Sequence, residues 1–168
     1  MKRLFTVVVL ATTSVLAGGL LASPAWAKPV TVTEHEHKVT STFHDVIPCF
    51  GADGAPATIT TTENGVFHVT AAGIDDDGNV IPPYHVTGTF TGTFVAVPDD
   101  SSLPTFTGRF TQWFGENSNS GGSLIDTFTF HVIGHGSDGS TLKFHENAHI
   151  TVGPDGTVTV SFDKPRCG

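Results

Sequence analysis

The sequence predicts an all-β domain: an eight-stranded antiparallel meander closed into a barrel. Two observations predict the strands. Thr, Val and Phe alternate in short runs separated by Gly, Asp, Asn and Pro, which is typical of strands and turns, and no helical periodicity interrupts them. A third observation, two cysteines at opposite ends of the strand series, favours closure. The predicted strands are about 30–44, 57–63, 66–72, 80–97, 105–115, 123–135, 141–152 and 157–163.

Three turns connect these strands with recognisable turn chemistry. Asn64-Gly65 is a two-residue hairpin signal, and it separates the second predicted strand from the third. Ser137-Asp138-Gly139 and Pro154-Asp155-Gly156 predict three-residue loops that end in a glycine with positive φ.

The two three-residue loops also predict strand register. The first loop places Val132 opposite Phe144, Phe128 opposite Ala148, and His131 opposite His145. The second places Val152 opposite Val158, Ile150 opposite Val160, and Ala148 opposite Phe162. Both registers bring apolar residues together on one face, and a slip of one residue would send them to opposite faces. Their agreement predicts a meander.

Phenylalanine alternates with glycine on one face of the middle strands. Tyr84, Phe90 and Phe94 share a face with Gly88 and Gly92, and the next strand repeats the pattern. Glycine permits bending, so this face predicts strong curvature. The barrel interior is then either a packed core or a pocket for a small apolar ligand. Its candidate lining residues are Phe90, Phe94, Phe110, Phe128 and Phe144. A β-sandwich is the alternative architecture.

The first 27 residues have the three parts of a secretion signal. Lys2 and Arg3 precede an apolar run, and Ala25-Trp26-Ala27 provides a small-x-small cleavage pattern. We therefore expect a signal peptide at 1–27 and a single domain at 28–168. The expected location is extracellular, and no later stretch is apolar enough to span a bilayer.

Cys49 and Cys167 are the only cysteines. In an exported protein they predict one disulfide, since no C-x-x-C spacing supports a metal site or a catalytic thiol. The bond spans 118 residues, for which the chain-entropy model gives roughly 4–5 kcal/mol of stabilisation. It joins the end of the first strand to the tail after the last, and these are neighbours if the sheet closes.

The charge balance and the nine histidines bound the partners. Residues 28–168 carry six Lys or Arg against sixteen Asp or Glu, a formal charge of −10 with histidine neutral. Nucleic acid is a poor partner for such a surface. A solvent-facing Thr/His surface with no cofactor is the favoured interpretation of the histidines, since no short spacing supplies a third metal ligand. The alternative is a zinc or copper site at His131 and His145, with His35 or His37 as a candidate further ligand, because these metals favour imidazole.

An enzyme acting inside the barrel, an isomerase, cyclase or hydrolase, needs an ionisable group that points inward. Tyr84 and Glu146 are the candidates by strand parity. A carboxylate on an apolar face acquires a raised pKa and can act as an acid or a base. The sequence contains no G-x-S-x-G motif for a nucleophile.

Several segments carry a family resemblance. They are Val86-Thr87-Gly88-Thr89-Phe90-Thr91-Gly92, Phe106-Thr107-Gly108-Arg109-Phe110-Thr111, Gly136-Ser137-Asp138-Gly139-Ser140 and Phe144-His145-Glu146, together with a cysteine near the end of the chain. Together they resemble a group of small secreted actinobacterial proteins of unassigned function. The resemblance implies an extracellular bacterial protein and transfers no catalytic residue. In outline the predicted barrel is also similar to lipocalin-like and allene-oxide-cyclase-like barrels.

These observations favour a non-enzymatic binding or surface-interaction module, with a small apolar ligand or an extracellular partner. The alternatives are a histidine-based metal-binding protein and a barrel enzyme acting on a small molecule. The sequence leaves the oligomeric state open.

Overall fold

The computed structural model describes residues 29–50, 53–77 and 79–168. The predicted signal peptide at 1–27 lies outside these ranges. Within them the chain forms one antiparallel sheet of seven strands in sequence order. The strands are β1 (Val30–Ile47), β2 (Ala55–Ile74), β3 (Val80–Pro98), β4 (Phe106–Ser118), β5 (Leu124–Gly136), β6 (Thr141–Val152) and β7 (Val158–Cys167). The described ranges contain no helix capable of crossing a membrane.

The prediction of eight strands is wrong, because Asn64-Gly65 lies inside β2 rather than in a hairpin. Across from it, β1 has a bulge between Glu36 and Val39. Asn64 accepts a hydrogen bond from the backbone N–H of Lys38 in that bulge, with an Oδ1–N distance of 3.1 Å. Long-range pairing with β1 and β3 therefore overrides the local turn signal.

The two predicted three-residue loops are confirmed. In the first, the N–H of Gly136 donates to the carbonyl of Ser140 at 2.9 Å, and Gly139 has a φ of 86°. In the second, the N–H of Gly153 donates to Thr157 at 2.8 Å, and Gly156 has a φ of 79°. Glycine occupies these positions because a side chain is strained at positive φ.

The predicted register is confirmed between β5 and β6 but holds only at the start of the β6–β7 pair. Val152 pairs with Val158 as expected, and a bulge then shifts the register by one residue. Ala148 consequently lies opposite Asp163, and Phe162 lies opposite His149. The predicted pairs Ile150–Val160 and Ala148–Phe162 are wrong. Beyond the bulge, every β7 side chain lies on the face opposite to the one predicted.

The disulfide provides a physical reason for this shift. Cys167 lies opposite Phe144, on the face that carries the core, whereas the predicted register would place Cys167 on the other face. On the core side it bonds to Cys49, with a Cα–Cα distance of 5.8 Å. The predicted disulfide is therefore present, and the one-residue bulge places Cys167 on the core side, where it bonds to Cys49.

The sheet is not closed into a barrel, and it does not form a sandwich. In the described part of the chain, β1 and β7 are the two outer strands and do not pair with each other. The disulfide holds the two edges together at one end without the hydrogen-bonded ladder that a barrel needs. We call this end, with residues such as Ile47, Ala57, Phe106 and Leu142, the disulfide end. The opposite end, with Val30, Tyr84 and Leu124, is the open end.

The buried core lies at the disulfide end. Ile47 on β1 and Leu142 on β6 belong to one cluster with Phe94, Phe106 and Phe110, so the sheet curls there to bring distant strands together. We call the face that carries this cluster the inner face and the other the outer face. Phe106 is only 1% exposed, and Phe50 packs against it with ring centroids 5.3 Å apart.

On the inner face, phenylalanine rings lie over glycines of the neighbouring strand. A Cβ added to Gly92 would come 2.9 Å from the Phe110 ring, and one added to Gly108 would come 2.8 Å from the Phe94 ring. The directly opposed pairs of this kind are Gly65–Phe90, Gly88–Phe114, Gly92–Phe110, Gly108–Phe94 and Gly136–Phe106. The glycines thus provide the space in which the rings lie against the sheet.

Candidate functional site: an aromatic belt between carboxylates

The five phenylalanines predicted to line a barrel interior all lie on the inner face but divide into two sets. Phe94 and Phe110 are each 7% exposed and belong to the packed core. Phe90, Phe128 and Phe144 are half-buried. Because the sheet is open, no closed barrel interior surrounds them.

The half-buried rings continue across the middle of the sheet. Two adjacent rows that run across the strands contain the five residues of what we call the aromatic belt: Phe67, Phe90, Phe114, Phe128 and Phe130. Phe90 and Phe114 stack with centroids 6.0 Å apart and an interplanar angle of 10°. Phe67 lies 6.4 Å from Phe114, and Phe128 lies 6.1 Å from Phe130. The belt thus exposes aromatic surface from β2 to β5.

The same two rows have carboxylates on both sides of the rings. At the β1 edge, Glu34 lies opposite Phe67, and Glu36 lies opposite Gly65. On the other side, Glu146 of β6 lies opposite Phe130, and Asp163 of β7 lies opposite Ala148. Glu63, Glu116 and Asp126 lie on the inner face in neighbouring rows. The belt is therefore aromatic in its middle and acidic at both ends.

None of the described lysines or arginines compensates these carboxylates. Arg109, Lys143, Lys164 and Arg166 all have outer-face register positions, and Lys38 lies in the β1 bulge. The single ion pair formed by residues 29–50, 53–77 and 79–168 joins His44 to Asp99 at 2.9 Å. Apart from His37 in the bulge, the histidines also occupy the outer face.

The carboxyl groups of the inner face have raised pKa values. Partial burial, followed by the proximity of Asp163, raises the pKa of Glu146 to about 7. Burial and then Glu116 raise the pKa of Asp126. Burial and then Glu36 raise the pKa of Glu63. In each case burial is the first cause of the raised pKa, and a neighbouring carboxylate is the second.

The two candidate catalytic residues do not share a site. Tyr84 donates a hydrogen bond from its hydroxyl to Glu116 at 2.5 Å. Burial, followed by this hydrogen bond, raises the pKa of Tyr84 to about 12. Tyr84 belongs to the row of Leu124, six residues along β5 from the row of Glu146, a separation of roughly 20 Å along the strands. No acid–base pair forms between them.

The predicted histidine pair is adjacent, as its register requires. His131 and His145 have ring centroids 5.7 Å apart on the outer face, and Asn147 Nδ2 lies 2.7 Å from His145 Nε2. The pair borders a shallow depression that Lys143 and Arg166 also line. His35 lies opposite Val66 and does not join the pair, and His37 lies in the β1 bulge. Within the described ranges, no three His, Cys, Asp or Glu residues are grouped to hold a metal.

Apart from Glu146, the inner-face carboxylates around the belt were missed by the sequence reasoning, although parity could have identified several. Glu116 has the same parity as Phe114 in β4, and Asp126 has that of Phe128 in β5. Asp163 has no such signal, because the β6–β7 bulge reverses its face.

Comparisons with known proteins give no matching family model, curated protein or solved structure.

Proposed function

We propose that this protein is a non-enzymatic extracellular binding module that holds its partner on the aromatic belt. The observation that carries the proposal is the half-buried row of phenylalanines on the inner face, which continues from a packed core onto accessible surface. Contiguous apolar surface of this kind is typical of interaction sites. A structural disulfide is compatible with the extracellular location.

The shape of the inner face favours a partner that lies across the sheet. In the belt, the rings of Phe90 and Phe114 lie over glycines of the neighbouring strands and so lie against the sheet rather than forming the walls of a deep pocket. Two shallow depressions lie on the outer face, one beside His145 and one beside Trp113. A partner of the belt therefore contacts a broad, curved surface.

Binding of a neutral, environment-sensitive apolar dye such as Nile red to the protein tests this proposal. Phe114→Ala removes the central ring of the belt. Phe162→Ala is the matched control, because Phe162 is 41% exposed on the outer face, where it stacks on His149. We expect Phe114→Ala to weaken dye binding about fivefold or more and Phe162→Ala to leave it unchanged. Equal effects of the two substitutions, or none, would refute the proposal.

The proximity of His131 and His145 favours a second candidate function, transition-metal binding on the outer face. The test is zinc and copper affinity by calorimetry. The variant is His131→Ala/His145→Ala, and the control is His135→Ala/His149→Ala, which removes two imidazoles from the same strands. A selective loss in the first variant would support this function. Unchanged affinity in both would dispose of it.

A further inference from the structure

We propose that the partner of the aromatic belt is a short basic peptide segment, with apolar side chains in its middle and lysine or arginine at both ends. This inference rests on the proposed function and specifies its ligand class. It follows from three properties of the inner face. These are the order of residues along the belt, the distribution of charge, and the strand pairing that already occupies the backbone hydrogen-bonding groups.

The order of residues defines an apolar middle with acidic ends. One row contains Glu34, Phe67, Phe114, Phe128 and Asp163, and the next contains Glu36, Phe90, Phe130 and Glu146. From β1 to β7 there are six strand spacings, or about 29 Å measured along the sheet. An extended segment of roughly nine residues covers this distance. Its central side chains would lie on the rings and its terminal cations beside the carboxylates.

The carboxylates of the inner face favour a partner with positive charge. No described lysine or arginine forms an ion pair with the four carboxylates at the ends of the belt. A cationic segment provides the missing opposite charges, and its ammonium or guanidinium groups also interact favourably with exposed ring faces. The raised pKa of Glu146 supports the same choice, because burial and Asp163 disfavour its charge when no cation is present.

The sheet itself determines how the segment is held. β2 to β6 each pair on both sides, so their backbone groups are already used. A segment across the belt is therefore recognised through side chains and not as an added strand. A second copy of the chain is disfavoured, because packing two inner faces together would bring the same carboxylates into opposition. An anionic lipid surface is disfavoured for the same reason.

The experiment compares synthetic nonapeptides with a Val-Phe-Gly-Phe-Val centre. One has two lysines at each end, a second has glutamine in place of every lysine, and a third has glutamate. Binding to the protein is measured by fluorescence anisotropy at pH 8 in 0.15 M salt. We expect the lysine peptide to bind about tenfold or more tightly than the glutamine peptide and the glutamate peptide to bind most weakly. High salt should reduce the first difference.

Variants locate the effect on the protein. Glu146→Gln/Asp163→Asn should weaken binding of the lysine peptide about three- to tenfold, with little effect on the glutamine peptide. Asp76→Asn/Asp77→Asn is the control, because it removes the same number of charges from the exposed turn between β2 and β3. Equal losses in the two double variants would indicate a general charge effect and would overturn the inference.

The outcomes separate this inference from the proposed function. If lysine and glutamine peptides bind equally and Phe114→Ala weakens both, the binding function stands and the basic-peptide inference fails. If spermidine binds as tightly as the lysine peptide, the partner is a simple polycation and the inference also fails. If no peptide or apolar dye binding depends on Phe114, the proposed function itself is refuted.

Discussion

The disulfide end and the aromatic belt contain the same ring-over-glycine packing but differ in how deeply the rings are buried. At both, a phenylalanine lies over a glycine of the neighbouring strand. At the disulfide end, Phe106 is 1% exposed because it belongs to a packed cluster that includes Ile47 of β1 and Leu142 of β6. In the belt, Phe90 and Phe114 remain half-buried. The comparison shows that local packing holds the rings against the sheet. Whether those rings become core or accessible surface depends on residues from distant strands that pack over them.

Removing the disulfide should have the largest effect on this difference. We expect Cys49→Ser/Cys167→Ser to lower the free energy of unfolding by about 4–5 kcal/mol, because the bond constrains a 118-residue separation in the unfolded chain. Urea denaturation measures the loss. Hydrogen exchange should show that protection falls most at the disulfide end, and a uniform fall along every strand would contradict this.

Matched truncations of two rings should distinguish core from belt. Phe106→Ala should destabilise the protein by about 3–5 kcal/mol, because it opens a cavity in a fully buried site. Phe114→Ala should cost about 1–2 kcal/mol, since the ring is already partly in water. Urea denaturation of both variants measures the contrast. Equal losses would mean that the two regions are packed alike.

A glycine substitution tests whether the close approach of the neighbouring strand and the Phe94 ring to Gly108 is needed. A Cβ on Gly108 would clash with the backbone carbonyl oxygen of Ile133, and it would come 2.6 Å from the Cα of Gly134 and 2.8 Å from the Phe94 ring. We expect Gly108→Ala to cost about 1–3 kcal/mol through overpacking. Gly73→Ala is the control, because the atom nearest to a Cβ on Gly73, Cδ1 of Ile81, would lie at 3.5 Å, an ordinary contact distance. Thermal unfolding of both variants should show a marked loss only for Gly108→Ala.

The smallest expected effect concerns Glu146 and pH. Its carboxyl group has a pKa of about 7 in the folded protein, above the ordinary value of 4.5. Between these values the folded state binds more protons than the unfolded state, so this group's contribution to stability is lost as pH rises toward 7 and above. Glu146→Gln should therefore stabilise the protein at pH 8, by less than about 1 kcal/mol because the group is partly solvated.

Urea denaturation from pH 5 to pH 8 measures this effect. The fall in stability with rising pH should be shallower in Glu146→Gln than in the parent protein. Some slope should remain, because the pKa values of Glu63 and Asp126 are also raised. Asp76→Asn is the control on the exposed turn. An unchanged slope in Glu146→Gln would show that Glu146 does not contribute to the pH dependence of stability.

Sequence reasoning predicted those features that depend on strand alternation and on short loops. It placed Phe90 and Phe110 on one face, defined both three-residue loops and gave the β5–β6 register. These features involve residues that are close in sequence or share the parity of one strand. The disulfide was predictable for a different reason, since the chain has only two cysteines.

The remaining features depend on distant pairing. The Asn64-Gly65 turn signal was overridden by the pairing of β2 with both β1 and β3. The β6–β7 bulge sets the face on which Cys167 lies, and no local sequence pattern predicts that bulge. Barrel closure depends on two edges that are separated by most of the domain. In the belt, strand parity identifies the phenylalanine rings, whereas the position of Asp163 depends on the β6–β7 bulge.

The two outer strands have a consequence for the physical state of the protein. An open sheet presents unpaired backbone groups along each edge, and such edges can template fibril growth by adding chains one after another. β1 interrupts its edge with the bulge at Lys38, and β7 contains Lys164 and Pro165. Charge, kinks and a missing N–H donor each hinder edge-to-edge addition. These irregularities therefore protect the chain from polymerising through its edges.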